Sequence, residues 1–445
     1  MPVDAAGMKS DRPASSQIRP PGSVARAWWL VAVLFITCFI AYTDRLILSV
    51  LVDPLRAQFN LSDSGVSLLQ GSAFTLVYAF AALPLGRMVD RRRRKPLLLA
   101  GAALWCLSTM LCGLAPDFRA LFIARLFIGV GEAVLAPAGI SLIADSIPQQ
   151  QRGLAVGIFA LGSVIGGPLG ISIGGVLLAA GDKGCFTSFP LIGNLEPWRI
   201  VLVIVGAAGL LGPLLLLTIH EPTRPNNGED RASLRAVTQH FLLQRRLLLP
   251  LYFGMALLSL GDYGLLSWAP ATLSRRFGWD SGQAGVAFGL VTAGAGVAGS
   301  LCGGWFSDLA DRRGGIGARL RVCAVAALVA GLAAAMISSN KLEFVLLAVG
   351  LWVFASTIGG IGAIAALQEA IPDRMRGTGA SLFTLGNAVI GLGGGPTLVA
   401  LATENIYRSS AAVGFAITTA IVPAAVSACI MFVLSRKALE SRRIL

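Results

Sequence analysis

The chain has 445 residues, 55% of them hydrophobic and only 13% charged, with a mean hydropathy of +0.74. Soluble domains carry about 25% charged residues, so ordinary water-soluble domains are excluded and most of the chain must face lipid or other helices. The net charge of +13 does not point to nucleic acid, because the cations cluster in alternate loops and no long basic stretch is interleaved with aromatics.

Residues 1–25 are polar, contain Pro and Gly, and are expected to be a disordered cytoplasmic N-terminus. The apolar run behind them resembles a signal peptide, but no small-residue cleavage site closes it. It enters Tyr42-Thr43-Asp44-Arg45 and stays apolar afterwards, so it reads as an uncleaved first spanning helix. Twelve such segments are long enough to cross a bilayer, at 27–52, 64–86, 96–116, 118–146, 152–179, 198–219, 247–272, 281–305, 318–339, 343–371, 377–402 and 410–434. The resulting organisation is an all-α polytopic membrane protein. Residues 26–220 form an amino-terminal six-helix bundle, 221–246 a cytoplasmic linker, 247–434 a carboxy-terminal six-helix bundle and 435–445 a polar cytoplasmic tail. A short external loop is expected at 54–63, a longer one at 182–197, and a short interfacial helix around 233–240.

Lys and Arg set the orientation. Segments on one side carry roughly three times as many as those on the other, which places both termini in the cytoplasm. The most basic loop, Gly86 to Lys95, holds six cations between helices 2 and 3. Gly86 is expected to permit close approach of a neighbouring helix, and Asp90, one turn on, to accept N–H groups at a helix end.

The two bundles repeat each other. Asp44, Gly86 and Asp90 recur as Asp262, Gly304 and Asp308. Asp145, Pro148, Arg152 and Gly153 recur as Glu369, Pro372, Arg376 and Gly377, and Gly166-Gly167-Pro168 recurs as Gly394-Gly395-Pro396. Three matches in one order at nearly constant offset indicate a parallel duplication, a repeat arrangement found in secondary transporters.

Charges inside spanning helices are costly and mark function. Four lie in the amino half: Asp44, Arg45, Arg125 and Glu132. Arg125 and Glu132 are seven apart and share a face of helix 4, whereas Asp44 and Arg45 point about 100° apart. One carboxylate is therefore expected to pair with an arginine while the other stays free to titrate. Asp44 and Glu132 are the expected proton-coupling pair. Arg45 and Arg125 would tune them or hold an anionic headgroup, to which a planar guanidinium is suited. The alternative is a salt network that only ties helices 1 and 4 together. Asp262 either lines the carboxy-half wall of a cavity or caps a helix break near Gly261 and Gly264, and Glu404 is expected to be solvated. Tyr42, Tyr263, Trp268, Phe288, Trp352 and Phe383 are candidate cavity residues. Gly162, Gly166, Gly167 and Pro168 make helix 5 a candidate pivot, since Pro removes a backbone bond.

The loop signature Gly86, Asp90, Arg91 and following cations, the pattern Arg125-x3-Gly129-x-Gly131-Glu132-Ala133 and the pattern Gly162-x3-Gly166-Gly167-Pro168-x-Gly170 resemble the major facilitator superfamily over nearly all of 27–435. Asp44-Arg45, Gly131-Glu132-Ala133, and Gly395-Pro396 followed by Ala402-Thr403-Glu404 are similar to its spinster branch. The resemblance implies alternating access, proton coupling and a sphingolipid or lysophospholipid substrate in a bacterial inner membrane. It also implies a monomer with protons, the lipid-like substrate and membrane lipids as its partners, and no cofactor. A cytoplasmic latch is implied among Gly86, Asp90, Arg91, Arg94, Asp145, Arg152, Asp308, Arg312, Glu369 and Arg376. A drug or organic-anion carrier of the same fold remains an alternative. A membrane-embedded lipid-modifying enzyme is a distant one, since His220 and His240 lie in the linker region and no nucleophile motif accompanies them.

Overall fold

A computed structural model describes residues 21–190, 192–222, 234–372 and 375–443. The expected disorder of the first twenty residues, and residues 223–233 of the linker, lie outside that range. Among the described residues all regular structure is helical. Eleven runs are long and apolar enough to cross a membrane. We number them α1 (Val24–Ser49), α2 (Asp63–Arg91), α3 (Arg94–Leu114), α4 (Phe118–Ser146), α5 (Gln149–Asp182), α6 (Pro197–Thr218), α7 (Arg245–Phe277), then α10 (Leu342–Ala370), α11 (Gly379–Tyr407) and α12 (Ser410–Ser441). The run between α7 and α10, Ser281–Met336, has 56 residues and is two helices. Gly314 and Gly315 leave helical geometry, and Gly315 has φ 61°, a conformation that favours glycine. The run thus divides into α8 (281–313) and α9 (316–336), which completes twelve spans.

Several boundaries differ from the sequence expectation. The expected loop at 54–63 begins as a short helix, Val52–Phe59, closed by Asn60 in the left-handed conformation. The expected polar tail is helical as far as Arg443, continuing α12. Ser435 there is buried and donates to the Leu247 carbonyl at 2.6 Å, so the packing of α12 on α7 outlasts the apolar sequence. The linker holds a helix at Leu234–Leu243.

Helices pack as two groups, α1–α6 and α7–α12, which meet through α5 on α8 and α2 on α11. Small residues make these approaches possible, as in other membrane bundles. A Cβ placed on Gly166 of α5 would lie 2.5 Å from the Phe39 carbonyl of α1. Across the halves, Gly289 of α8 lies against Pro168 and Ser172 of α5, and Gly71 of α2 against Leu392 of α11. Both α2 and α11 widen into π turns where they cross, at Leu68–Ser72 and Asn387–Gly394.

At the face opposite the termini the halves are also joined by charge. Arg275, at the end of α7, bonds Asp63 through both carboxylate oxygens (3.0 and 2.9 Å) and Asp53 at 2.8 Å. Arg56 adds a contact to Asp63 at 3.2 Å. Glu404 of α11 is not merely solvated, since its carboxylate accepts the Ser64 backbone N–H at 2.8 Å and the Ser64 hydroxyl, capping the start of α2. Just beneath, Gln70 Nε2 donates to the Ser267 carbonyl at 3.2 Å, and the Ser72 and Thr397 hydroxyls lie 2.9 Å apart.

Two outcomes follow from this packing. Gly166→Leu should force α5 off α1 and lower stability by about 1–3 kcal/mol, read as a reduced Tm of the purified protein in detergent. Arg275→Gln should leave Asp63 buried without its main partner and loosen the seal. A cysteine at Ser267 is then expected to react several-fold faster with a membrane-impermeant thiol reagent applied from that side. An unchanged labelling rate would show that the charges do not hold the face shut.

Candidate functional site

The four intramembrane charges converge where α1 and α4 depart from regular helix. α1 tightens into a 3₁₀ turn at Ile47–Ser49 directly after Asp44-Arg45, and α4 opens at Ala133–Val134 directly after Glu132. Such irregularities in long helices often accompany functional hinges. Close packing of α3 on α4, with Gly101 and Gly131 facing each other's carbonyls, brings α3 side chains to the same place.

Arg45 pairs with Glu132: Nε donates to Oε2 at 3.1 Å and Nη2 contacts the same oxygen. Three rings flank this guanidinium, with centroids at 4.5 Å (Tyr42), 4.7 Å (Phe74) and 5.6 Å (Tyr78). Stacked aromatics offset part of the desolvation of a buried cation. Asp44 has no such partner. Its Oδ2 lies 3.2 Å from the Thr109 hydroxyl, whose single proton also has the Trp105 carbonyl at 3.0 Å as an acceptor. Arg125 reaches the Asp44 backbone carbonyl (3.3 Å) rather than its carboxylate, and its Nε donates to the Leu69 carbonyl in the π turn of α2 at 3.2 Å. Asp44, Arg125 and Glu132 are all essentially inaccessible to solvent. Even so, Asp44 Oδ1, Glu132 Oε1 and Arg125 Nη2 lack a hydrogen-bond partner. Each unpaired buried polar atom costs about 1–3 kcal/mol, so the cluster is not a fully satisfied structural network.

The expected cavity residues divide. Tyr42 flanks Arg45, and Tyr263 of α7 lies within electrostatic reach of both Tyr42 and Arg45 from the other half. Trp268, Phe288 and Trp352 do not line a cavity here; all three are fully buried. Trp268 donates to the Pro396 carbonyl at 2.9 Å, and Trp352 donates to Asp262 at the same distance. The Trp352 indole fills the space left by Gly261, which the sequence alone does not distinguish from a cavity wall. Phe383 packs at the edge of the core cluster around Leu251 and Ile371, not near the charges. Asp262 caps no break, because α7 is continuous through it.

Of the expected latch residues, Arg94, Asp145, Arg152 and Glu369 have partners in their own halves in this structure. Arg94 is buried and bonds Asp145, Ser141 Oγ (3.1 Å), Glu221 and the Pro222 carbonyl (2.9 Å). Glu369 pairs with Arg319, which also meets Asp311 at 3.2 Å. Arg152 donates to the Ile147 carbonyl of its own loop at 3.1 Å. A Cβ on Gly86 would meet nothing within 4 Å, and the same holds for Gly304, so neither glycine makes the expected close approach. Asp90, Arg91, Asp308 and Arg312 are exposed, and the side chain of Arg376 lies outside the described residues. Along helix 5, Gly162, Gly166 and Gly167 pack against Phe35, Phe39 and Leu46 of α1, and Pro168 faces α8.

Sequence reasoning missed Arg275, Asp53 and Asp63, which seal the opposite face, and Glu221, which holds Arg94. The only available signal was two acids in the first external loop and a basic pair closing helix 7.

The comparisons with known proteins agree with the fold. The family model described as Major Facilitator Superfamily matches residues 34–396. An "MFS-type efflux pump" of Mycolicibacterium smegmatis is 28% identical over 385 residues, covering 86% of this chain and 85% of that protein. A "Probable galactarate/D-glucarate transporter" of Escherichia coli is 25% identical over 401 residues, covering 82% and 84%. "Protein spinster homolog 1" of Xenopus laevis is 28% identical over 263 residues, covering 57% of this chain and 47% of that one. Among solved structures, a bacterial homologue of the human lysosomal transporter spinster, in an inward-facing and unoccupied conformation, superposes with a TM-score of 0.73. It is 23% identical, with 94% of this chain and 97% of that chain covered. The likeness to the solved structures shows the fold alone, and the family match shows the rest: this chain is an integral membrane protein of the major facilitator superfamily, a family of transporters.

Proposed function

We propose that the protein is a proton-coupled secondary transporter of an amphipathic, lipid-like substrate of the sphingolipid or lysophospholipid class, working by alternating access as a monomer. The observation that carries the reading is the asymmetry of the buried charges. Glu132 is neutralised by Arg45, whereas the Asp44 carboxylate meets no cation side chain. Such a pair can exchange roles on protonation. A proton on Glu132 releases Arg45, whose guanidinium, framed by Tyr42, Phe74 and Tyr78, then offers a planar fork to a phosphate. Proton affinity in the cluster depends on solvation and on the nearby arginines, and both change with the side to which the site opens.

The sealed opposite face, where Arg275 joins Asp63 and Asp53, supports an inward-facing state. In this reading the excess of cations on the terminal side places both termini in the cytoplasm, across a bacterial inner membrane. Charge and access are linked through residues 69–72. Arg125 holds the Leu69 carbonyl, Gln70 and Ser72 bond the carboxy half, and Gly71 packs on Leu392. A change of protonation at Asp44 or Glu132 thus bears on the crossing of α2 and α11. The latch groups Asp90, Arg91, Asp145 and Arg152 would meet Asp308, Arg312, Glu369 and Arg376 across the halves when the protein opens outward.

Names of the relatives favour one second reading, an efflux pump or sugar-acid carrier using the same charges. Proteoliposome transport decides between them, with lysophosphatidylcholine, sphingosine-1-phosphate, ethidium and D-glucarate compared under an imposed pH gradient. Uptake of the lipids alone supports the lipid reading, and uptake of only ethidium or glucarate overturns it. For the proton, Asp44→Asn and Glu132→Gln should each abolish gradient-driven accumulation, a loss of tenfold or more, while counterflow of substrate persists. Retained gradient dependence in both variants would remove these carboxylates from the coupling.

A further inference from the structure

Asp262 of α7 is a charged group that the coupling mechanism leaves unused. Its Oδ1 accepts the Trp352 indole N–H of α10 at 2.9 Å, while the Ser356 hydroxyl, one turn along α10, donates to the Val353 carbonyl at 3.3 Å. Gly261 makes this contact possible, since the Trp352 ring occupies the space that a Cβ at Gly261 would need. The indole is a neutral donor, and no cation reaches Asp262 among the described residues. By contrast, Asp44, Arg45, Arg125 and Glu132 balance to zero formal charge. Asp262 stands outside that charge balance, a carboxylate with no cation against it among the described residues.

Its direction is set by helix periodicity. Ser259, Asp262, Tyr263 and Leu266 are the partly accessible positions of this stretch of α7, spaced i, i+3, i+4 and i+7 on one face. Tyr263 on that face lies within electrostatic range of Tyr42 and Arg45 of α1. Asp262 thus shares the face of α7 that neighbours Arg45 and its aromatic frame. An isolated charge in such a place is costly unless it meets an opposite one.

We propose that Asp262, oriented by Trp352, is a specificity-determining residue that selects substrates with a cationic headgroup. The inference rests on the amphipathic-substrate reading above and names the chemistry that the carboxy half recognises. A zwitterionic headgroup satisfies both walls, its phosphate toward Arg45 and its ammonium toward Asp262.

The test compares three single-chain amphiphiles as ligands of the purified full-length protein, by ligand-induced change in Tm and by competition. They are lysophosphatidylethanolamine (phosphate and ammonium), lysophosphatidylglycerol (phosphate, no cation) and dodecyltrimethylammonium (cation, no phosphate). The wild type is expected to prefer lysophosphatidylethanolamine over lysophosphatidylglycerol by about tenfold, the equivalent of 1.4 kcal/mol. Asp262→Asn keeps an acceptor for Trp352 and should erase that preference. It should weaken lysophosphatidylethanolamine and dodecyltrimethylammonium while sparing lysophosphatidylglycerol, whose retained binding shows that the variant is folded. Trp352→Phe should reduce the preference in part, by freeing the carboxylate to turn. Equal loss for all three ligands in Asp262→Asn, no loss for any, or no binding of either cationic ligand to the wild type would overturn the inference. Binding of dodecyltrimethylammonium alone, dependent on Asp262, would instead overturn the lipid reading and leave the role of Asp262 intact.

Discussion

An arginine carried into a hydrocarbon layer must find a carboxylate, and the contact of Arg45 with Glu132 is where this molecule meets that demand. Desolvating either ion alone costs several kcal/mol, so the pair fixes the register of α1 against α4. Around it the surrounding helices must supply aromatic faces, hydroxyls and carbonyls, which Tyr42, Phe74, Tyr78, Thr109 and the Leu69 carbonyl do. One oxygen each on Asp44 and Glu132 and one nitrogen on Arg125 keep no hydrogen-bond partner within the protein.

That cluster sits against the crossing of α2 and α11. The π turn of α2 presents Leu69 to Arg125 on one side and places Gln70, Gly71 and Ser72 against α7 and α11 on the other. Above it, Arg275 with Asp53 and Asp63, and Glu404 with Ser64, close the same gap between halves with charge. A seal made of a few ion pairs and hydrogen bonds, laid over glycine contacts rather than interlocked large side chains, is one that can part without repacking a core.

Much of this was legible in the sequence. Apolar run length and loop charge located the spans, and the recurrence of Asp44, Gly86 and Asp90 as Asp262, Gly304 and Asp308 exposed the two halves. The break at Gly314-Gly315 falls in the interval expected between the spans 281–305 and 318–339. The intramembrane charges announced themselves by cost. Partner choice did not: nothing in the spacing assigns Glu132 to Arg45, or leaves the Asp44 carboxylate to Thr109, since that depends on how α3 and α4 approach. Arg275 was unreadable for the same reason, its partners lying more than two hundred residues away in the other half. Trp268 and Trp352 are buried in helix contacts in this structure, and an indole in a spanning helix fills a groove as readily as it lines a cavity.

The central claim is that protonation of the α1–α4 cluster sets which face is open. Spin-label distances between the opposite-face ends of α2 and α8, measured in lipid across a pH series by double electron–electron resonance, test it most directly. The account predicts that the balance of sealed and parted populations shifts with pH in the wild type and is frozen in Asp44→Asn. Distance distributions that ignore pH in the wild type, or that shift equally in the variant, would contradict it.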